Sequence, residues 1–140
     1  MNHNIQDDIK EYQIKSSEAN QLLNTVQSLY GSHIERVMKQ YAAALHSTYT
    51  HHYCGPSIKA EWHWDIQGDW LHFGWSEFWG DSTDSDNYTI PLTYLWNDSL
   101  LPAFQAACEV KVEQNKAAEK EKERQTKLAQ LAALQKELGL

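Results

Sequence analysis

A chain of 140 residues with 41% hydrophobic content is long enough for one compact core and short for two. Its formal charge of −7 is concentrated: Ala60 to Asp98 holds Glu61, Asp65, Asp69, Glu77, Asp81, Asp84, Asp86 and Asp98, all six tryptophans, and not one lysine or arginine. Such a segment repels phosphate backbones, so direct nucleic-acid binding is not expected, and cationic or apolar partners suit it.

The start, Met1-Asn-His-Asn-Ile-Gln-Asp-Asp, lacks the basic and apolar regions of a signal peptide. No run of about 18 apolar residues is available to span a bilayer. The expectation is a soluble, cytoplasmic protein without a membrane partner. From about Ile5 to Tyr30, Ile9, Tyr12, Ala19, Leu22, Leu23, Val26, Leu29 and Tyr30 recur at helical steps. Gly31 then reads as a left-handed stop, and Ser32-His33-Ile34-Glu35 as a capping box opening a second helix. Its stripe of Ile34, Val37, Met38, Tyr41, Ala44, Leu45, Thr48 and Tyr49 runs until Cys54-Gly55-Pro56. These two helices predict a helical hairpin over residues 5–53.

His46, His51, His52 and Cys54 carry ligand chemistry, but adjacent His51 and His52 point apart on a helix and no second ligand pair follows, so no metal is expected. Cys54 and Cys108 are too far from any Cys-x-x-Cys spacing to indicate a disulfide framework and read as small buried hydrophobes.

The period then falls to two. Glu61-Trp62-His63-Trp64-Asp65-Ile66 alternates polar and apolar residues as a half-buried strand does. Gln67-Gly68-Asp69 supplies a turn, and Trp70 to Trp75 an aromatic return strand. Glu77-Phe78-Trp79-Gly80 extends it after a bulge, Asp81 to Asn87 reads as a polar loop, and Tyr88-Thr89-Ile90 as a third strand stopped by Pro91. With Gln67-Gly68-Asp69 as the turn, and in any simple register, Trp62, Trp64 and Trp70 are expected on the parity opposite Leu71, Phe73 and Trp75, so both sheet faces carry aromatics.

Asn97-Asp98-Ser99 offers caps for a last helix from about Leu100 to Leu138, with Pro102 in its first turn. Glu113 to Lys127 has charges at pairing distances and few apolar residues, which predicts a helix standing in solvent. Leu128, Leu131, Leu134 and Leu138 then form a stripe suited to self-association, with Gln135 weakening it as a coiled coil. The predicted architecture is α+β: a domain over 1–112, made of the helical hairpin packed on an antiparallel sheet of three or four strands (segment 60–96) and the start of the long C-terminal helix, with 113–140 as an exposed helical end.

Asp81, Asp84 and Asp86 lack the glycine and terminal glutamate of a calcium loop, and a solvated loop explains them. Four to six tryptophans serve as core in a small sheet, since each buries roughly 150–250 Å². The competing use is capture: Trp beside carboxylate binds arginine and lysine through ring faces and charge together. On that reading the partner-binding residues are Trp62, Trp64, Trp70, Trp75, Trp79, Asp81, Asp84 and Asp86, facing a protein with a basic surface. A small enzyme, or a ligand- or metal-binding protein, using His63, His72 and nearby carboxylates is the alternative. Without a nucleophile elbow or phosphate loop, no catalytic residue and no cofactor is expected.

The order of the alternating Trp strand, Gly68-Asp69, the return ending in Glu77-Phe78-Trp79, an acidic loop, Tyr88-Thr-Ile-Pro-Leu-Thr-Tyr-Leu95 and an Ala/Glu/Lys helix resembles small accessory proteins of tailed bacteriophages. The resemblance spans about residues 60–127. It implies a viral protein, acting in the bacterial host cell by binding and disabling or redirecting a host protein such as a defence factor, with nucleic-acid mimicry by its carboxylates as one variant. It carries no catalytic residue over.

Overall fold

The computed structural model describes residues 4–50 and 55–140, so the His51, His52 and Cys54 cluster lies outside the described residues. In chain order it contains helix α1 (Ile5–Ser47), strands β1 (Glu61–Gln67), β2 (Trp70–Trp79) and β3 (Ser82–Pro91), a 3₁₀ turn (Leu92–Leu95) and helix α2 (Leu100–Glu137). This is an α+β arrangement. The chain forms two compact units, Met1–Arg36 and Val37–Leu140.

The expected helical hairpin is replaced by one helix of 43 residues that passes through Gly31 without turning. The only glycines with positive φ among the described residues are Gly68, Gly80 and Gly139, so Gly31 is not the left-handed stop and Ser32 and Glu35 lie inside a helix rather than at its start. A helical glycine costs about 1 kcal/mol relative to alanine, which the flanking turns absorb. Within the first unit, Ile5, Ile9, Tyr12, Leu22, Leu29 and Tyr30 are exposed rather than packed.

The sheet has the order β1-β2-β3, each pair antiparallel. Both connections are two-residue Gly-Asp turns: Gly68 (φ 59°) with Asp69, and Gly80 (φ 60°) with Asp81. Glycine at the first central position with positive φ matches a type II′ turn, whose twist suits a hairpin. Because Gln67 pairs with Trp70 instead of belonging to the turn, Trp62 faces Trp75, Trp64 faces Phe73 and Ile66 faces Leu71. The register is one residue away from the sequence expectation, and that flips the face: Trp62 and Trp64 share the side of Leu71, Phe73 and Trp75, leaving Trp70 on the other. Nor is there a bulge or a polar loop after Trp75. β2 continues to Trp79, and Ser82 to Asn87 pair with it residue for residue.

The core of the second unit lies between the β2–β3 face and the helices. Val37, Met38, Leu71, Phe73, Ile90, Leu101 and Cys108 are buried. Tyr41 stacks on Phe104 with ring centroids 4.3 Å apart and meets Phe73, Tyr88 and Tyr94 edge-on. Such pairs add about 0.5–1.5 kcal/mol beyond burial. The Asn115 side chain donates to the Thr48 carbonyl at 3.0 Å. With Tyr41 against Phe104 and Thr48 against Asn115, the end of α1 and the first half of α2 run side by side in the same direction.

Candidate functional site

Alternation along β2 and β3 sorts the acidic aromatic segment into three environments. Trp75 is 2% exposed and belongs to the core, which removes it from any contact surface. Its indole N–H donates to the Tyr88 hydroxyl at 3.0 Å. That hydroxyl lies 2.5 Å from His46 Nε2 and donates to Asp86 Oδ2 at 3.1 Å. Asp86 Oδ2 is also 3.5 Å from His46 Nε2. Asp86 therefore serves an internal network joining α1, β2 and β3, rather than a solvated loop. Burial lowers the His46 pKa, against a smaller upward pull from Asp86.

Glu77 is buried as well, at 5% exposure, and accepts the backbone N–H of Ser57. That bond anchors the segment leading into β1. His46, Lys39, Ala43, Pro56, Ile58 and Trp62 line an open recess of about 490 Å³. Trp62 and Trp64 are half-buried.

The face of the sheet away from the core carries His63, Asp65, His72, Asn87 and Thr89. Its register places Asp65 opposite His72 and His63 opposite Gly74. His72 Nδ1 is 3.3 Å from the Thr89 hydroxyl. A side chain at Gly74 would meet the Asp86 carbonyl at 2.5 Å and Asn87 Oδ1 at 2.6 Å, so glycine is the residue that lets these neighbours close over β2. Among the described residues, no group of three or more His, Cys, Asp or Glu side chains is placed to hold a metal ion. Trp70 is half exposed at the start of β2.

The third environment is the far end of the β2–β3 hairpin. Phe78 is 72% and Trp79 56% exposed, and consecutive strand positions point them to opposite faces. Trp79 pairs with Ser82, one residue past the Gly80-Asp81 turn, and Asp81 and Asp84 are both exposed. Two large aromatics and two solvated carboxylates thus project from one tight turn. Of the eight residues expected at a partner surface, this tip gathers Trp79, Asp81 and Asp84. Trp62, Trp64 and Trp70 lie elsewhere on the sheet, Trp75 is buried, and the partly exposed Asp86 is bonded to Tyr88. Phe78 was missed from sequence because the expected bulge hid its outward parity. His46 and Tyr88 were missed as a pair because they are 42 residues apart.

On α2, Glu113–Lys116 and Glu121–Arg124 pair along the solvated stretch. Leu128, Leu131 and Leu134 are each 51% exposed, and Leu138 is exposed too. No described helix is long and apolar enough to cross a membrane. Compared with known proteins, the chain matches no family model, no curated protein and no solved structure.

Proposed function

We propose that the chain is a non-enzymatic binding protein of bacteriophage type that inhibits or redirects a host protein, such as a defence factor, by engaging a basic surface. The observation that carries this reading is the hairpin tip, where exposed Trp79 and Phe78 stand beside exposed Asp81 and Asp84. A ring face and a carboxylate together attract guanidinium and ammonium groups. Trp79 supplies the anchor, Phe78 apolar contact on the other side of the turn, and the aspartates the charge that steers encounter. The phage assignment rests on the resemblance of residues 60–127.

Self-association belongs to the same proposal. The leucine stripe at 128, 131, 134 and 138 would join copies of the chain through α2, and exposure of those side chains along a solvated helix supports it. Affinity capture from bacterial lysate, with wild type beside a Trp79→Ala variant, tests the binding reading. Wild type should retain a dominant basic protein that the variant retains weakly. Equal retention would exclude Trp79 as the anchor.

A further inference from the structure

The apolar stripe of α1 from Tyr12 to Tyr30 is laid out for a second helix. Tyr12, Ser16, Ala19, Leu23, Val26 and Tyr30 alternate steps of four and three, a period of 3.5. That period keeps a seam facing a partner helix along its length, which a period of 3.6 does not. The residues are helical and the large ones stand in solvent, Tyr12 at 72% and Tyr30 at 55% exposure, with Leu22 and Leu29 flanking them.

This stretch is poorly equipped to stand alone. Asn20, Asn24, Thr25, Val26, Ser28 and Gly31 are weak helix formers, and helices of such composition draw their stability from packing. Charge narrows the identity of the partner. Between Ala19 and Ile34 there is not one Asp, Glu, Lys or Arg in a chain of net charge −7, so a second copy meets this segment without like-charge repulsion, and neither an acidic nor a basic partner is selected by it.

Side-chain size supplies the orientation. In a parallel pair Ser16 would face Ser16 and Ala19 would face Ala19, leaving two adjacent layers underfilled and bringing Asp7, Asp8 and Glu11 of both copies together. In an antiparallel pair Ser16 faces Val26, Ala19 faces Leu23 and Tyr12 faces Tyr30, so each layer sets a small residue against a large one or a ring against a ring. The same register sets Asp8 of each helix across from Ile34 of the other, two residues from Arg36. From these observations we infer that two copies of the chain associate through an antiparallel pairing of α1 over residues 12–30, separate from any contact made by α2.

The test uses the full chain carrying Leu128→Asp and Leu131→Asp, which removes the α2 stripe. Light scattering at tens of micromolar concentration should find this variant dimeric, and adding Leu23→Asp and Val26→Asp should make it monomeric. All six tryptophans lie between 62 and 96, so an unchanged tryptophan emission spectrum certifies that the sheet unit of each variant is folded. In wild type, a short bismaleimide should link copies through Asn20→Cys, near the centre of the antiparallel pair, above the background of the native cysteines, and should not do so through Ile9→Cys. A monomeric Leu128→Asp, Leu131→Asp variant would overturn the inference while leaving α2 association standing. A dimer that survives Leu23→Asp and Val26→Asp, or linkage through Ile9→Cys instead of Asn20→Cys, would overturn it as well.

Discussion

The buried indole of Trp75 and the hydroxyl of Tyr88 are joined by a 3.0 Å hydrogen bond, and the same hydroxyl reaches His46 on α1 and Asp86 on β3. One oxygen thereby satisfies the only polar atom of a side chain that the sequence offered equally as core or as contact surface. Replacing Tyr88 by Phe keeps the ring packing on Phe73, whose centroid is 5.1 Å away, but leaves the Trp75 N–H buried without an acceptor. The expected loss of stability is about 1–3 kcal/mol. Urea denaturation of the Tyr88→Phe variant followed by tryptophan fluorescence measures it, and a change below about 0.5 kcal/mol would show that this network does not hold the unit together.

His46 makes the stability of that unit depend on pH. Burial lowers its pKa in the folded chain, while in the unfolded chain it returns to its ordinary value of about 6.5. Below that value the unfolded state binds more protons, so the contribution of His46 is complete above about pH 6.5 and declines as pH falls from there through the lower folded value. Asp86 limits the decline by stabilising the imidazolium. Denaturation midpoints at about pH 7.5 and about pH 5.5 should fall toward acid in wild type and fall less in a His46→Gln variant. An identical decline in both would assign the effect to other groups.

Gly31 separates the continuous helix from the hairpin by the sign of one substitution. A Cβ there would meet no atom within 4 Å, and the residue lies within α1. Gly31→Ala should therefore stabilise the helix by about 0.5–1 kcal/mol, because alanine loses less backbone freedom on folding. Thermal unfolding followed by far-ultraviolet circular dichroism reads the result. Destabilisation would mean that Gly31 adopts a left-handed conformation and that the chain turns there.

The strands were legible in the sequence because alternation and Gly-Asp pairs are local signals: Glu61 to Ile66 could bury one face only as a strand, and Gly68 marked the return. Register was not, since counting Gln67 into the turn or out of it moves every partner by one residue and exchanges the faces. The stretch from Ser82 to Asn87 looked like a loop because Asp, Ser and Asn are poor strand formers, and pairing with β2 overrode that preference. At Gly31 the same Gly and Ser-x-x-Glu signals fit a helix end or a helix interior, and local chemistry does not separate them. Of the candidate site, the concentration of carboxylates and tryptophans was visible at once. Which of them reach solvent depended on the fold: Trp79, Asp81 and Asp84 do, Trp75 does not, and Asp86 is partly exposed while bonded to Tyr88.

That division fixes the substitutions that probe the binding reading. Reversing Asp86 would disturb the His46 network and confuse contact with folding, whereas Asp81 and Asp84 are exposed at the hairpin tip. The most direct measurement is capture from bacterial lysate across a salt titration, with wild type beside a variant carrying Asp81→Lys and Asp84→Lys. Wild type should retain a basic host protein at low salt, lose it steeply toward physiological salt, and exceed the variant by at least about tenfold, since charge reversal turns attraction at the rim into repulsion. Recovery that is equal for the two chains, or insensitive to salt, would contradict an acidic aromatic contact at this tip.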